Sequence, residues 1–336
     1  MPAAKLVDRL NEKIDQYQLS AARDLIHAHS KDCIAVRSAG SDDYSQVGKS
    51  RFGGDPDLPG DFDWPKATDY QGKEKSLNFI CQINFAELPR LEQQGLPESG
   101  LCSLFVEYME SAAVPAKVVA FLLDPESDLQ RRKSPPEEEL IDEYLIHLKP
   151  NRVEFTPTID CNAFDREFRK SLSKIFEKES AGDRPEQAED PLCRLLSMTL
   201  DLPQAAMAQL YGFANTYDAS DELLRQVALS QLGLRQHQFS DYWTSIREYE
   251  AYIEKYKSNE RLRKKYTAMR PGVEALIENA DAIRSTELCW RQFLMITSNH
   301  EMDLWINDAD PMYVFVEKAR LEKNDFGNLA CEVTQG

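Results

Sequence analysis

The chain has 336 residues, 42% of them hydrophobic and 29% charged, with a net charge of −17. That length exceeds what one core usually serves, and the negative field repels nucleic-acid phosphates and anionic membranes, which leaves a basic protein as the favoured partner. No apolar run reaches the roughly 18 residues of a membrane span, charges interrupt Met1 to Leu10 where a secretion signal would be apolar, and the seven cysteines are odd in number and scattered, so a cytoplasmic protein with reduced thiols is expected.

Leu6, Leu10, Ile14 and Tyr17, then Ala21, Leu25 and Ile26, recur at three- and four-residue steps, which predicts one or two amphipathic helices over Leu6–Ala28. Cys33–Arg37 reads as a short strand. The following stretch, Ser50 to Pro65, holds four aspartates, three aromatics and several glycines and prolines. Gly53-Gly54 permits positive φ and the prolines fix φ, so a rigid loop that is neither helix nor regular strand is expected there. Leu77–Phe85 alternates apolar and polar positions as a strand, Gly100–Tyr108 is a second and Ala116–Leu123 a third. Short connections between them predict an antiparallel sheet.

Leu145–Leu148 and Arg152–Phe155 read as short strands, and Asp165–Glu179 as a helix. Residues 181–190 have linker composition and divide the chain into an α+β half at 1–180 and a second α+β half at 191–336. A helical region over Ala205 to about Ile283 is expected as an insertion in the second half, with a break at Pro271-Gly272. Its tyrosine stripe, Tyr242, Tyr249 and Tyr256 with Ile246 and Ile253 between, either packs internally or faces a partner. Ile246–Arg270 carries eight Lys/Arg against four Glu, a basic stretch in an acidic chain. Strand signals return at Trp290–Ile296, Leu304–Ile306 and Met312–Val316.

The halves echo each other: Ser50–Gly54 and Asp57–Pro59 against Cys193–Ser197 and Asp201–Pro203, Phe79–Ile83 against Phe293–Ile296, and Leu101–Val106 against Met312–Val316. The shared order predicts a degenerate internal duplication of mostly antiparallel sheets, hence an α+β fold.

The motifs exclude more chemistry than they suggest. Gly48-Lys49-Ser50 ends like a phosphate loop, but Asp43 occupies the position of its first glycine and the continuation is proline-rich. Asp55, Asp57, Gly60, Asp61 and Asp63 fall on calcium-loop positions, but Pro59 and Lys66 occupy two of the ligand positions, so turn stabilisation by the aspartates is the expectation. His27 and His29 diverge on a helix, and no Cys-x-x-Cys occurs. No catalytic residue, cofactor or metal ligand is assigned. The candidate ligand- or partner-binding residues are Arg51, Gly53, Gly54, Asp55, Asp57, Trp64, Gln82 and Asn84. Trp64 either plugs the core edge or lines a groove, and Gln82 and Asn84 are either surface polar groups or bonded to the loop backbone.

Ser50–Pro59, Phe62–Pro65, Phe79–Phe85 and Leu96–Leu101 resemble the YwqG-like family of uncharacterised bacterial proteins. That family shows a lysine where Arg51 stands, and it lacks the long helical insertion. The resemblance implies an α+β fold with a duplicated sheet motif, no established enzymatic activity, and association with bacterial toxin–immunity neighbourhoods. The expected function is a non-enzymatic protein-binding module, of which an immunity-type protein is one form, with an acidic surface for a basic partner. The competing expectation is a small-ligand-binding protein or enzyme in a cleft at Gly53-Gly54, with Arg51 holding an anion and Asp55 or Asp57 as acid/base. The oligomeric state is left open.

Overall fold

The computed structural model describes all residues except 1–2, 70, 92–94, 108–117, 125–127, 142–147, 164, 180–189, 203–205, 214–219, 238, 240–242, 307–308, 310 and 334–336. Two compact units make up the chain, one of Met1–Ser220 with Arg291–Gly336 and one of Asp221–Trp290. The expected linker at 181–190, all but Asp190, and the expected strand at Leu145–Leu148, all but Leu148, lie outside the described residues.

The first unit is α+β and built on one antiparallel sheet. Strands β1 (Ser30–Ser41) and β10 (Asn151–Cys161) pair along their length at its centre. Beyond β10 lie β2 (Arg51–Phe52), β6 (Asn78–Asn84), β7 (Leu101–Val106) and β8 (Val118–Leu123). Beyond β1 lie β11 (Ala208–Leu210), β12 (Trp290–Ile296), β13 (Met312–Glu317) and β14 (Leu329–Val333). The two end strands, β8 and β14, approach each other, so the sheet curls into a nearly closed, barrel-like form. Curling lets alternate side chains fill one shared interior: Ile34, Val36, Phe52, Ile83, Leu104, Leu210, Leu294 and Val314 are all buried in it.

Helices α1 (Ala3–Gln16), α2 (Arg23–Ala28), α3 (Arg166–Glu179) and α4 (Pro191–Asp201) bury a second cluster, Leu6, Leu10, Ile14, Phe168, Leu172, Leu195 and Met198. The helical periodicity of Leu6–Ala28 thus yields two helices, joined by a turn at Ser20–Ala22. None of the seven cysteines forms a disulfide, and five are buried, where loss of hydration pushes the Cys81 and Cys102 thiols well above their usual range.

Four local expectations in the first unit are corrected. Ser50–Pro65 does contain strand: Arg51–Phe52 bridges β10 and β6, and β3 (Asp57–Pro59) pairs with β9 (Leu129–Arg131), because proline is tolerated at the end of a short edge pairing. Cys193–Ser197, the echo of Ser50–Gly54, lies in α4, where Asp190 caps the Leu192 amide and Pro191 opens the helix. Ala208–Leu210, read as helical, is a sheet strand too short to show alternation. Leu304 makes one isolated bridge to Asn299, outside the named strands.

The second unit is helical. It contains α5 (Ser220–Gln231, beginning one residue before the unit), α6 (Ile246–Lys255), α7 (Glu260–Glu278) and α8 (Ala280–Cys289). Ala228, Leu229, Leu276 and Ile283 form its core. Pro271 sits inside α7 without ending it, contrary to the expected break. Among the described residues, no helix is long and apolar enough to cross a membrane.

Candidate functional site

The loop between β1 and β3 is organised by two turns. Asp42 accepts a bond from the Tyr44 amide and Asp43 one from the Ser45 amide, the short side chains imitating the backbone of a turn. After β2, Gly53 and Gly54 stand at φ +70° and +68°, and their amides donate to Ile80 O at 2.7 Å and Leu148 O at 2.9 Å. A β-carbon on Gly53 would lie 2.4 Å from Lys149 O, so side chain and backbone geometry both require glycine.

These turns bring Arg51 into the interior with 0% of its side chain exposed. Its Nε donates to Asp42 Oδ2 at 2.6 Å, Nη1 to Asp55 O at 2.7 Å and Nη2 to Asp57 Oδ2 at 2.9 Å. Asp57 also receives Arg131 Nε at 2.6 Å, Gln82 Nε2 at 2.8 Å and the Gly48 amide at 2.9 Å. Burial alone would raise the Asp57 carboxyl; the bonds from Arg131, Gln82 and Gly48 and the Arg51 charge outweigh it and hold the group below the usual carboxylate range. Two guanidinium groups against two carboxylates leave the cluster neutral, the condition under which buried charges are tolerated. Tyr44 stands beside both arginines, its ring centroid 4.9 Å from Arg51 Cζ and 4.1 Å from Arg131 Cζ, and its Oη accepts the Asp55 amide.

Strand β6 ties the loop to the sheet. Gln82 Oε1 accepts the Asp57 amide while Nε2 also reaches Lys49 O; Asn84 Nδ2 donates to Gly48 O. Gln82 and Asn84 therefore bond the loop backbone, the second of the two sequence readings. Trp64 is half-buried, donates Nε1–H to Leu77 O at 2.8 Å and meets Phe105 edge-to-face at 5.2 Å, beside Phe62 and Phe121. Asp42, Tyr44 and Arg131 were missed in the sequence; the Asp-Asp-Tyr-Ser turn is a signal for the first two, whereas Arg131 lies 74 residues from Asp57 with nothing to mark it.

The charge of Arg51 is consumed by internal acceptors, and so are the oxygens of Asp57. What remains open is a recess of about 110 Å³ lined by Gly54, Asp55, Asn78, Phe79, Ser134, Leu140 and Leu148. Ligand pockets for drug-sized molecules begin near 300 Å³, so this one has room for a few atoms only. Asp55 Oδ1 in its wall accepts the Ser134 amide at 3.0 Å. No group of three or more His, Cys, Asp or Glu suited to a metal occurs among the described residues.

Beside the recess runs an acidic lip. The hairpin β4 (Lys66–Thr68) and β5 (Glu74–Ser76) is joined to Leu140 by a bridge from Ser76, and Lys75 Nζ donates to Glu138 O. Asp61, Asp63, Glu74, Glu137, Glu138 and Glu139 are exposed along it. Lys66 is held above its usual range by its bond to Glu74 first, then by the charge of Glu74, with smaller contributions from the charges of Glu139 and Asp63. The aromatic cluster of Phe62, Trp64, Phe79, Phe105 and Phe121 packs in the same region of the first unit as Ala67 and Leu77, adjoining this hairpin.

Residues 50–334, which contain Arg51, Asp57 and the lip, match the model of a family described as a domain of unknown function, DUF1963. The chain belongs to that family. No curated protein matches it. In this DUF1963 chain the match opens at Ser50, immediately before the buried arginine, and continues through all of the sheet except β1.

Proposed function

We propose that this chain is a non-enzymatic, cytoplasmic, bacterial protein-binding module whose acidic lip receives a basic partner. The observation that carries this reading is the division of charge: the loop's arginines and aspartates neutralise each other inside, while six exposed acids, Asp61, Asp63, Glu74 and Glu137 to Glu139, outnumber Lys66, Lys73 and Lys75 along the lip. A surface with an excess of one sign steers an oppositely charged partner and sets register more than it adds affinity. An immunity-type role, as implied by the YwqG-like resemblance, is one form of such binding. Affinity capture from extract of the source cells tests it. The wild type is expected to retain a basic protein that the variant E137K/E138K/E139K loses; equal capture by both rejects the lip.

The recess beside Gly54 favours a second reading, binding of a small ligand of a few heavy atoms. A thermal-shift screen of small carboxylates, amines and phosphates decides it, a saturable hit lost on Asp55→Ala being the supporting result. A screen without hits rejects it.

The fold itself we read as a degenerate duplication. The strand order is the same read from either end, with β10-β2-β6-β7-β8 answered by β1-β11-β12-β13-β14. Arg51 pairs with Gln82 as Gln209 pairs with Met295, and the amides of Gly53 and Tyr211 donate to Ile80 O and Phe293 O. Each is followed by a glycine, Gly54 or Gly212. A β-carbon on Gly212 would meet Gln209 Nε2 at 2.4 Å and Asp160 Oδ2 at 2.7 Å. If the turns are equivalent, Gly212→Ala destabilises the first unit as Gly54→Ala does; a neutral Gly212→Ala contradicts the correspondence.

A further inference from the structure

We propose that the α6–α7 hairpin is a self-association arm whose basic tip docks on the acidic lip of a second copy of this chain. The proposal rests on the reading of the lip as a site for a basic partner and names that partner.

The tip lies where α6 ends and α7 begins. Lys255, Lys257, Arg261, Arg263, Lys264 and Lys265 are exposed there. Aromatic packing fixes the two helices: Tyr249 is buried and donates to Tyr266 O, Tyr252 meets Tyr266 edge-to-face at 5.1 Å, and Trp243 meets Tyr249 at 4.7 Å. The cations are therefore displayed on a stiff support.

Their placement works against the helix that carries them. Cations in the first turns of α7 oppose the positive end of its dipole, and Arg261 with Lys265 forms a like-charge i,i+4 pair. Glu260 and the Asn259 cap on the Leu262 amide are the favourable groups at that end. Arg261, Arg263 and Lys264 form no ion pair with a carboxylate among the described residues. A local arrangement that costs helix stability without an internal return marks a contact surface.

Charge complementarity selects a second copy. Copies of net charge −17 repel at a distance, so association requires apposed patches of opposite sign. The tip carries six exposed cations against Glu254 and Glu260, and the lip six exposed carboxylates against Lys66, Lys73 and Lys75, so the two patches hold opposite excess charge; Lys257 is paired with Glu254 and Glu74 with Lys66. A single-stranded nucleic acid is disfavoured because its bases need open aromatic faces, whereas these tyrosines pack on one another.

Sedimentation velocity on the full chain over a concentration series, at about 0.05 M and about 0.5 M salt, tests the proposal. The wild type is expected to exceed the 38.4 kDa monomer at low salt and return toward it at high salt. R261E/R263E/K264E/K265E and E137K/E138K/E139K should each weaken association by about tenfold or more, and mixing them should restore it, because the swapped charges complement. Melting curves control for folding: glutamate at positions 261 and 263 suits the dipole while the new like-charge neighbours at positions 260 and 264 and at positions 261 and 265 oppose it, so the arm variant should melt close to wild type and keep its helical circular dichroism. A wild type that stays monomeric throughout, or association indifferent to the arm reversal, overturns the proposal. If such a monomer still captures a basic protein through Glu137–Glu139, the arm fails and the lip stands; if capture also fails, both fall.

Discussion

Arg51→Ala deletes three buried bonds at once. Asp42, 7% exposed, would keep the Tyr44 amide but lose its guanidinium, and Asp57 would retain Arg131 as its only cation of the original two. Two buried carboxylates would then face one partly exposed arginine. Breaking a buried ion pair by removing one partner costs about 3–5 kcal/mol, which is a large share of a typical domain stability of about 5–15 kcal/mol. Because the two units need not unfold together, the assay is native-state hydrogen exchange of the β6 and β10 amides, which reports on the first unit directly. Arg51→Lys keeps a charge but not the three-way fork and should lose roughly half as much. The acid limb provides an independent signature. Asp57 has a lowered folded-state pKa, so its contribution is present above the ordinary carboxylate range and disappears as pH falls through the lowered value. Removing Arg51 should flatten that loss. A change below about 1 kcal/mol in Arg51→Ala would refute the view that this cluster holds the loop to the sheet.

Gly53→Ala places a β-carbon against Lys149 O at φ +70° and is expected to cost about 2 kcal/mol or more by the same exchange measurement; a neutral effect would mean that the turn is free to shift. Trp64→Phe removes the bond to Leu77 O while keeping the aromatic packing, so chemical denaturation should show a loss of about 1 kcal/mol. Burial holds the Asp160 carboxyl up at about 6, above the ordinary 3.8, so the folded state binds the extra proton and wild-type stability rises as pH falls through that window. Asp160→Asn should therefore gain on wild type by on the order of 3 kcal/mol between pH 4 and pH 8. A difference independent of pH would contradict the buried assignment.

Legibility in the sequence followed the range of the interactions. Strands β6 and β7 and helix α3 were readable because alternation and three-to-four spacing are local consequences of burying one face. The Gly-Gly turn was readable because only glycine adopts its backbone conformation cheaply. The pairing of β1 with β10 was not, since Cys33 opposes Thr158 across more than a hundred residues and no local pattern encodes that choice. The surroundings of Arg51 were not readable for a related reason: an arginine beside glycines resembles an anion site, and the acceptors that surround it, Asp42 and Asp57, become visible only when the loop is folded. Ala208–Leu210 escaped because a three-residue strand carries no period, and Pro271 misled because α7 continues around it.

Hydrogen exchange of the chain with and without the partner seated on its lip, a second copy or a captured basic protein, tests most directly whether the loop serves the fold and the lip serves binding. New protection is expected at residues 61–69, 71–76 and 134–140, with the amides of Gly53 and Gly54 unchanged because their bonds to Ile80 and Leu148 are already made. Protection confined to Gly53, Gly54 and the recess, with the lip unaffected, would contradict it.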